Sequence, residues 1–523
     1  MNRKVVFRVL LLVAVLLVFN HNVYSKEDDV LDVMLLIDSS GSMKETDPRG
    51  LRVPASKLFI SLLGKEDNIG ILTFHEDVIN LANLTEATKH QDELLAAAEK
   101  VTSEGKFTDI YKAIISAEET IEKAARKDSK KIIVLMSDGK IDVGDTQKDE
   151  ELRAKLLSEI LQGLKEKNIK LYTIAFTSLS DTNLLEIIAR ETGGAFSLLE
   201  SAENFHNAFI SIFESLKIPQ MLPIEKNTFN VDISVTDITI IANKEAPDST
   251  LILRAPNKEK YMSRKKPRDF TWFTSPTFDM ITINEPQKGT WQILFSTGNG
   301  NKAYIVTNLQ LSSNLSDMKF YPYWPIGDTI NVQAWLDNKD DVMQDIKSMF
   351  IGTNFYAEIK DPHGNIKKLS LTAAPMKEEG GTNIKYINSY KPETAGTYEI
   401  KVAAEGKTFK RMKVFTISVI EPTKDMVEYK EKERQEQQAQ KEKIAAAKEA
   451  AAKEEKKAQV ATSPAHITVQ KLDKTVQKEQ IIRTVISFVA ANIGLAVIII
   501  LYLKGINIVR FIKTRKKRGK GRD

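Results

Sequence analysis

The sequence predicts a doubly wound α/β domain followed by strand-rich domains, and three observations carry that expectation. Four near-continuous apolar runs, Asp32–Ile37, Ile69–Phe74, Lys131–Met136 and Lys170–Ala175, alternate with amphipathic stretches between residues 30 and 218. Runs of that kind suit parallel strands buried on both faces. After Pro219 the apolar residues instead alternate with polar ones between turn signals, as in antiparallel sheets. Near the end, Arg483 and Lys504 bracket a charge-free run of 20 residues, Thr484–Leu503.

Taken along the chain, the elements form a consistent order. Arg3, Lys4 and Arg8 precede an apolar run of 11 residues, Val9–Phe19, and Val23-Tyr24-Ser25 offers small residues for cleavage. Residues 1–25 therefore read as a signal peptide, with an uncleaved anchor as the alternative. In the α/β region (30–218), Arg52–Leu63, His90–Val101, Asp109–Ala125 and Leu152–Lys165 are the expected helices between the apolar strands. Residues 226–315 and 316–421 read as two β-sandwiches of immunoglobulin-like size. Their expected strands include Val231–Ile241, Trp291–Phe295, Ile330–Trp335, Phe355–Ile359 and Tyr398–Ala403. Residues 425–460 are nearly all Glu, Lys, Gln, Arg and Ala. Glu four residues before Lys supports a solvated helix, which would act as a semi-rigid spacer. Thr484–Leu503 matches the ~20 residues that cross a hydrocarbon core. The basic tail, 504–523, then belongs in the cytoplasm by the positive-inside rule, which puts the folded domains on the extracytoplasmic side.

Charge and cysteine content narrow the function classes. The first 25 residues carry +3 and the last 20 carry +8, which leaves −6 for the body of a chain whose total is +5. A slightly acidic body argues against a nucleic-acid partner, which needs phosphate neutralisation. The chain contains no cysteine, so thiol catalysis, disulfides and Cys-ligated zinc are excluded, and a bacterial source is favoured over a secreted eukaryotic one. The six histidines, at 21, 75, 90, 206, 363 and 466, are scattered. No phosphate-cradling loop and no nucleophile elbow occurs.

The motif with chemical content is Asp38-Ser39-Ser40-Gly41-Ser42, directly after the first apolar strand. A carboxylate and two hydroxyls on alternate residues of a tight loop can face one small volume, with Gly41 allowing the turn. Oxygen-only donors suit a hard cation, Mg²⁺, Mn²⁺ or Ca²⁺. Thr108, at a helix entrance in GKFTDIYKAI, and Asp138, after the strand KIIVLM, fall at the same edge of a doubly wound sheet, where ligands bind. Asp142 and Asp145 could add a second cation site or a negative rim, or form a solvated acidic loop; Glu76 and Asp77 read as a turn.

Asp38-x-Ser40-x-Ser42, Thr108 and Ser137-Asp138-Gly139, in that order, resemble the metal-ion-dependent adhesion site of von Willebrand factor A domains. The resemblance covers about residues 30–218. It implies that Ser40, Ser42 and Thr108 bind a Mg²⁺ ion directly, that Asp38 and Asp138 bind it directly or through water, and that a partner's carboxylate fills an open position. One departure is Gly105-Lys106-Phe107 before Thr108, where the family often has a Gly pair; the expected effect is on the rim. The resemblance thus implies a non-enzymatic binding protein at the cell membrane, engaging an acidic residue of a protein partner. The alternatives are an accessory or assembly subunit of a membrane complex with a merely stabilising metal, and a metallohydrolase.

Overall fold

The computed structural model describes residues 30–176, 180–307, 309–316, 318–338, 352–374, 384–436, 438, 439 and 442. The expected signal peptide, membrane span and basic tail lie outside these residues. Among the described residues no helix is long and apolar enough to cross a membrane.

The first domain is the expected α/β structure. Its sheet holds β1 (Leu31–Asp38), β2 (Asn68–Phe74), β3 (Val78–Glu86), β4 (Lys130–Ser137), β5 (Ile169–Phe176) and β6 (Phe196–Leu199), in the order β3-β2-β1-β4-β5-β6. All neighbours are parallel except β3, which returns antiparallel along β2. Helices α1 (Met43–Thr46), α2 (Arg52–Leu62), α3 (Gln91–Ala98), α4 (Ile110–Ala124), α5 (Thr146–Lys155), α6 (Leu161–Glu166), α7 (Thr182–Thr192) and α8 (Phe205–Lys217) complete it. The helix expected over Leu152–Lys165 is divided: α5 and α6 are joined by a π-helical turn, Leu156–Ile160.

The strands read as apolar runs because the sheet is covered on both sides. Val33, Leu35 and Ile37 of β1 pack with α2, α3 and α8, whereas Met34 and Leu36 pack with α4 and α7. A side chain on either face is therefore removed from water, which stabilises by roughly 1.5–3 kcal/mol for a Leu or Ile. Strand order reverses between β1 and β4, whose ends lie side by side in the register Ile37↔Met136. That position is the topological switch point, where open α/β sheets leave a crevice beyond their carboxyl ends.

Beyond residue 219 the chain is strand-rich, as expected, and its strands form two layered pairs of sheets. In the first, Lys260–Tyr261, Ile252–Arg254, Gly289–Leu294 and Thr228–Val231 face Phe270–Thr274, Phe278–Asn284, Val235–Asn243 and Lys302–Thr307. Trp291, Phe229, Ile240 and Ile283 share their core. The single strand expected over Val231–Ile241 is two, one in each sheet, because the chain crosses between layers at Asp232–Ser234. The second pair spans Leu309 to Ile420 around Ile330, Phe355, Tyr398 and Phe415. Leu309–Leu315, placed in the first β domain by the sequence division, pairs with Ile330–Asn338 and so belongs to the second. Residues 424–436 are helical, and residues 443–460 of the expected charged linker lie outside the described residues.

The domains are joined at a shared helix face and at a buried ion pair, among other contacts. Helix α8 is buried nearly all round, because Phe209 packs on Phe59 of α2 while Phe213 meets Tyr304 of the first β-sandwich. The core of the α/β domain thereby continues into Ile241, Phe278, Tyr304 and Val414. Between the two sandwiches, the fully buried Arg411 donates to both carboxylate oxygens of Asp232, at 2.6 and 2.9 Å. It also donates to Ser234 Oγ at 2.5 Å, Thr307 Oγ1 at 3.1 Å and the Leu309 carbonyl at 3.2 Å. Burial pushes the Asp232 carboxyl up, but the bonds and charge of Arg411 outweigh it and hold the group below its ordinary value of 3.8.

Arg411→Ala would strand a buried carboxylate and is expected to destabilise the β region by about 3–5 kcal/mol. Urea unfolding followed by fluorescence checks this, since all four tryptophans lie beyond residue 219; a loss under about 1 kcal/mol would contradict it. Because the folded pKa of Asp232 is depressed, its contribution is present above the ordinary carboxylate range and is lost as pH falls through the folded value. The gap between wild type and variant is therefore expected to narrow on acidification below about pH 4.

Candidate functional site

Asp38 ends β1 and is fully buried. One of its oxygens accepts the Ser40 amide at 2.8 Å and the other accepts Ser137 Oγ at 2.7 Å. Those two bonds fix the carboxylate against the end of β4. Ser39 turns the other way and donates its hydroxyl to the Phe74 carbonyl at 2.9 Å, which leaves Ser40 and Ser42 on the crevice side. Their hydroxyls lie 3.0 Å apart, and Ser42 Oγ donates to Asp138 Oδ1 at 2.9 Å. Thr46, in α1, donates to the other oxygen of Asp138.

Thr108 arrives from a separate loop. Its amide donates to the Asp142 carbonyl at 2.8 Å, and its carbonyl accepts the Asp142 amide at 3.0 Å. Its hydroxyl lies against Gly139, where an added Cβ would stand 3.4 Å from Oγ1. The structure thus brings all five predicted residues to the switch-point edge: Asp38, Ser40, Ser42 and Asp138 through direct bonds, and Thr108 beside the residue that follows Asp138. Asp38, Ser40, Thr108 and Asp138 are at most 6% exposed.

Gly41 has a different reason from the one expected. Its φ is not positive; a Cβ there would stand 3.0 Å from the Gly105 carbonyl oxygen, so the residue is small because two loops touch. Asp142 and Asp145 are turn and cap residues: Asp142 accepts the Gly144 amide at 2.9 Å, and Asp145 caps α5 through the Gln147 and Lys148 amides. Glu76 and Asp77 lie in a bend, as expected, and backbone amides, its own first, draw the Glu76 carboxyl down to about 2.

Sequence reasoning named Ser137 in the motif without giving it a role, and missed Thr46. Ser137 is the residue before Asp138, and Thr46 is four residues after Ser42, one helical turn on; both signals are local but have no meaning until the two loops meet.

The electrostatics of the cluster are unfavourable as it stands. Burial, opposed by the Ser40 and Ser137 bonds and augmented by the charge of Asp138, raises the Asp38 carboxyl to about 6. Among the described residues no Lys or Arg pairs with Asp38 or Asp138. Two buried carboxylates beside three hydroxyls, with no nitrogen or sulfur donor, fit a hard divalent cation.

The family model agrees with this architecture. The family model described as von Willebrand factor type A domain matches residues 32–210, and the N-terminal domain of this chain is a von Willebrand factor type A domain. No curated protein matches the chain. Among solved structures, a von Willebrand factor type A protein from Catenulispora acidiphila is 14% identical with a TM-score of 0.31, over 60% of this chain and 63% of that one. Proximal thread matrix protein 1 from the mussel byssus is 18% identical with a TM-score of 0.30, over 38% of this chain and 50% of that one. Another structure of that mussel protein is described as having a zinc-occupied adhesion-site motif. The vWF domain of the type V pili tip protein Mfa5 from Porphyromonas gingivalis is 14% identical with a TM-score of 0.30, over 36% of this chain and 96% of that one. The chain thus spans less than two thirds of the length of the first two proteins.

Removing the charge of Asp38 relieves a desolvated group when no cation is present. Asp38→Asn is therefore expected to be as stable as wild type, or more so, in metal-free buffer. Urea unfolding in excess chelator measures this; a loss above about 2 kcal/mol would mean that the charge is compensated within the fold.

Proposed function

We propose that the chain is a membrane-anchored, extracytoplasmic binding protein that grips an acidic residue of a protein partner through Mg²⁺ held by Asp38, Ser40, Ser42, Thr108 and Asp138. The observation that carries the reading is a pair of buried carboxylates without a counter-charge, set among hydroxyls at the sheet edge. A divalent cation bound there supplies both the missing charge and a position for a carboxylate from outside. The chain's own residues hold the donors ready. Ser40 N and Ser137 fix Asp38, while Ser42 and Thr46 hold both oxygens of Asp138. A site ordered before the partner arrives loses less entropy on binding. The exposed rim, including Lys106 and Asp142, would supply specificity.

The remaining regions fit a tether. The leader and the charge-free span Thr484–Leu503 favour one crossing with the folded domains outside. The charged segment, 425–460, would act as a spacer between them and the bilayer. The two sandwiches resemble immunoglobulin-like domains in size, and the Tyr398 hydroxyl donates to the Thr394 carbonyl at 3.1 Å, a corner contact seen in such folds. A grip rather than an active site is the proposed role.

Crosslinking pull-down from native membranes tests the function. Partner recovery is expected in Mg²⁺, and its loss in excess EDTA or with Asp38→Ala. Equal recovery in all three conditions would favour the accessory-subunit reading, in which the metal only stabilises. Topology has its own test, because the chain lacks cysteine. A membrane-impermeant maleimide applied to intact cells, or to spheroplasts if an outer barrier intervenes, is expected to label Asn299→Cys and not Lys520→Cys. The reverse pattern would overturn the proposed orientation.

A further inference from the structure

Asp109 caps α4 by accepting the Lys112 amide at 2.8 Å, but among the described residues no amide from Gly105 to Asp109 bonds within that segment. Instead its amides are taken up by other loops. Gly105 N donates to the Ser39 carbonyl at 3.1 Å, Thr108 N to the Asp142 carbonyl at 2.8 Å, and Asp109 N to the His75 carbonyl at 2.8 Å. The two amides between them, Lys106 N and Phe107 N, both end on one side-chain oxygen, Glu76 Oε2, at 2.8 and 3.3 Å. The packing is equally close. A Cβ on Gly105 would stand 2.2 Å from His75 Cβ, and one on Gly144 would stand 2.6 Å from the Phe107 ring. The bend at 75–77 is thus fitted against the Thr108 loop by backbone, by close packing and by one carboxylate.

We propose that Glu76 is a positioning residue for the cation site, setting the height of Thr108 by holding the amides of Lys106 and Phe107. The assignment rests on the metal-site reading above and deepens it. It also gives Lys106-Phe107 a role. With side chains where the related pattern has glycine, the loop has fewer backbone conformations to lose, and Glu76 fixes the one that presents the Thr108 hydroxyl beside Asp138. Supporting residues behind a ligand are worth about 10–100-fold in metal affinity. Thr108 follows the second restrained amide and is held only through the backbone, so the lower end of that range is expected.

The test is Mn²⁺ binding to the full-length protein in detergent, read by the loss of free-ion EPR signal, with melting temperature in chelator as the check on folding. Glu76→Ala is expected to weaken Mn²⁺ binding about tenfold while its metal-free melting temperature stays near that of wild type. Glu76→Gln, whose amide oxygen still accepts both bonds, is expected to recover most of the affinity. Thr108→Ala should weaken binding, and adding Glu76→Ala to it should cost little more, because the support then has nothing to position. Unchanged affinity in Glu76→Ala, or a loss that adds in full to that of Thr108→Ala, would overturn the assignment while leaving the metal site standing. Failure of wild type to bind Mn²⁺, or binding by Thr108→Ala equal to wild type, would overturn the metal-site reading and this inference with it.

Discussion

Asp38 ends β1, Asp138 follows the end of the neighbouring parallel strand β4, and both are buried; the surrounding loops are organised by that fact. Placing two carboxylates at a sheet edge is costly by desolvation and by mutual repulsion, which is why Asp38 titrates near 6. The fold tolerates it by surrounding each group with donors. Ser137 and the Ser40 amide serve Asp38, and Ser42 and Thr46 serve Asp138. Ser40 and Ser42 lie on the loop after β1, Ser137 ends β4 and Thr46 lies in α1, so the bonds form only when these elements come together. Closure in turn requires glycine where loops touch, at Gly41 and Gly105. The result is an anionic, hydroxyl-lined crevice prepared for positive charge.

What lies behind the site is unusually continuous with it. Helix α8 closes one face of the von Willebrand factor type A sheet and also packs against the first sandwich, so one apolar core serves both. Glu214 of α8 accepts the Tyr304 hydroxyl at 3.0 Å and pairs with Lys302 at 2.8 Å. Farther on, Arg411 joins the two sandwiches through four buried hydrogen bonds, to Asp232, Ser234 and Thr307. Breaking either junction exposes apolar surface or strands a charge, so residues 30–427 behave as one compact unit.

The sheet's central strands were legible because burial on both faces demands unbroken apolar runs, and DVMLLI and KIIVLM have no other reading at that length. Asp38, Ser40, Ser42 and Asp138 were legible because they follow those strands directly. Thr108 was placed at the same sheet edge by its helix-entrance position, and the family resemblance gave it the role of a ligand. The edge strands β3 and β6 were not foreseen: β3 is only partly buried and its pattern is mixed. The break in Val231–Ile241 was hidden because the partner of Asp232, Arg411, is 179 residues away. Gly41 was explained by the wrong property, its conformational freedom, because the touching loop at Gly105 cannot be seen from the motif alone.

The central claim is that these oxygens hold a divalent cation, and the most direct measurement is anomalous X-ray diffraction from crystals of the protein grown with Mn²⁺. The account predicts a peak at the sheet edge between the Ser40, Ser42 and Thr108 hydroxyls, absent from Asp138→Ala crystals. A peak elsewhere with this edge empty, or an undiminished peak in the variant, would contradict it.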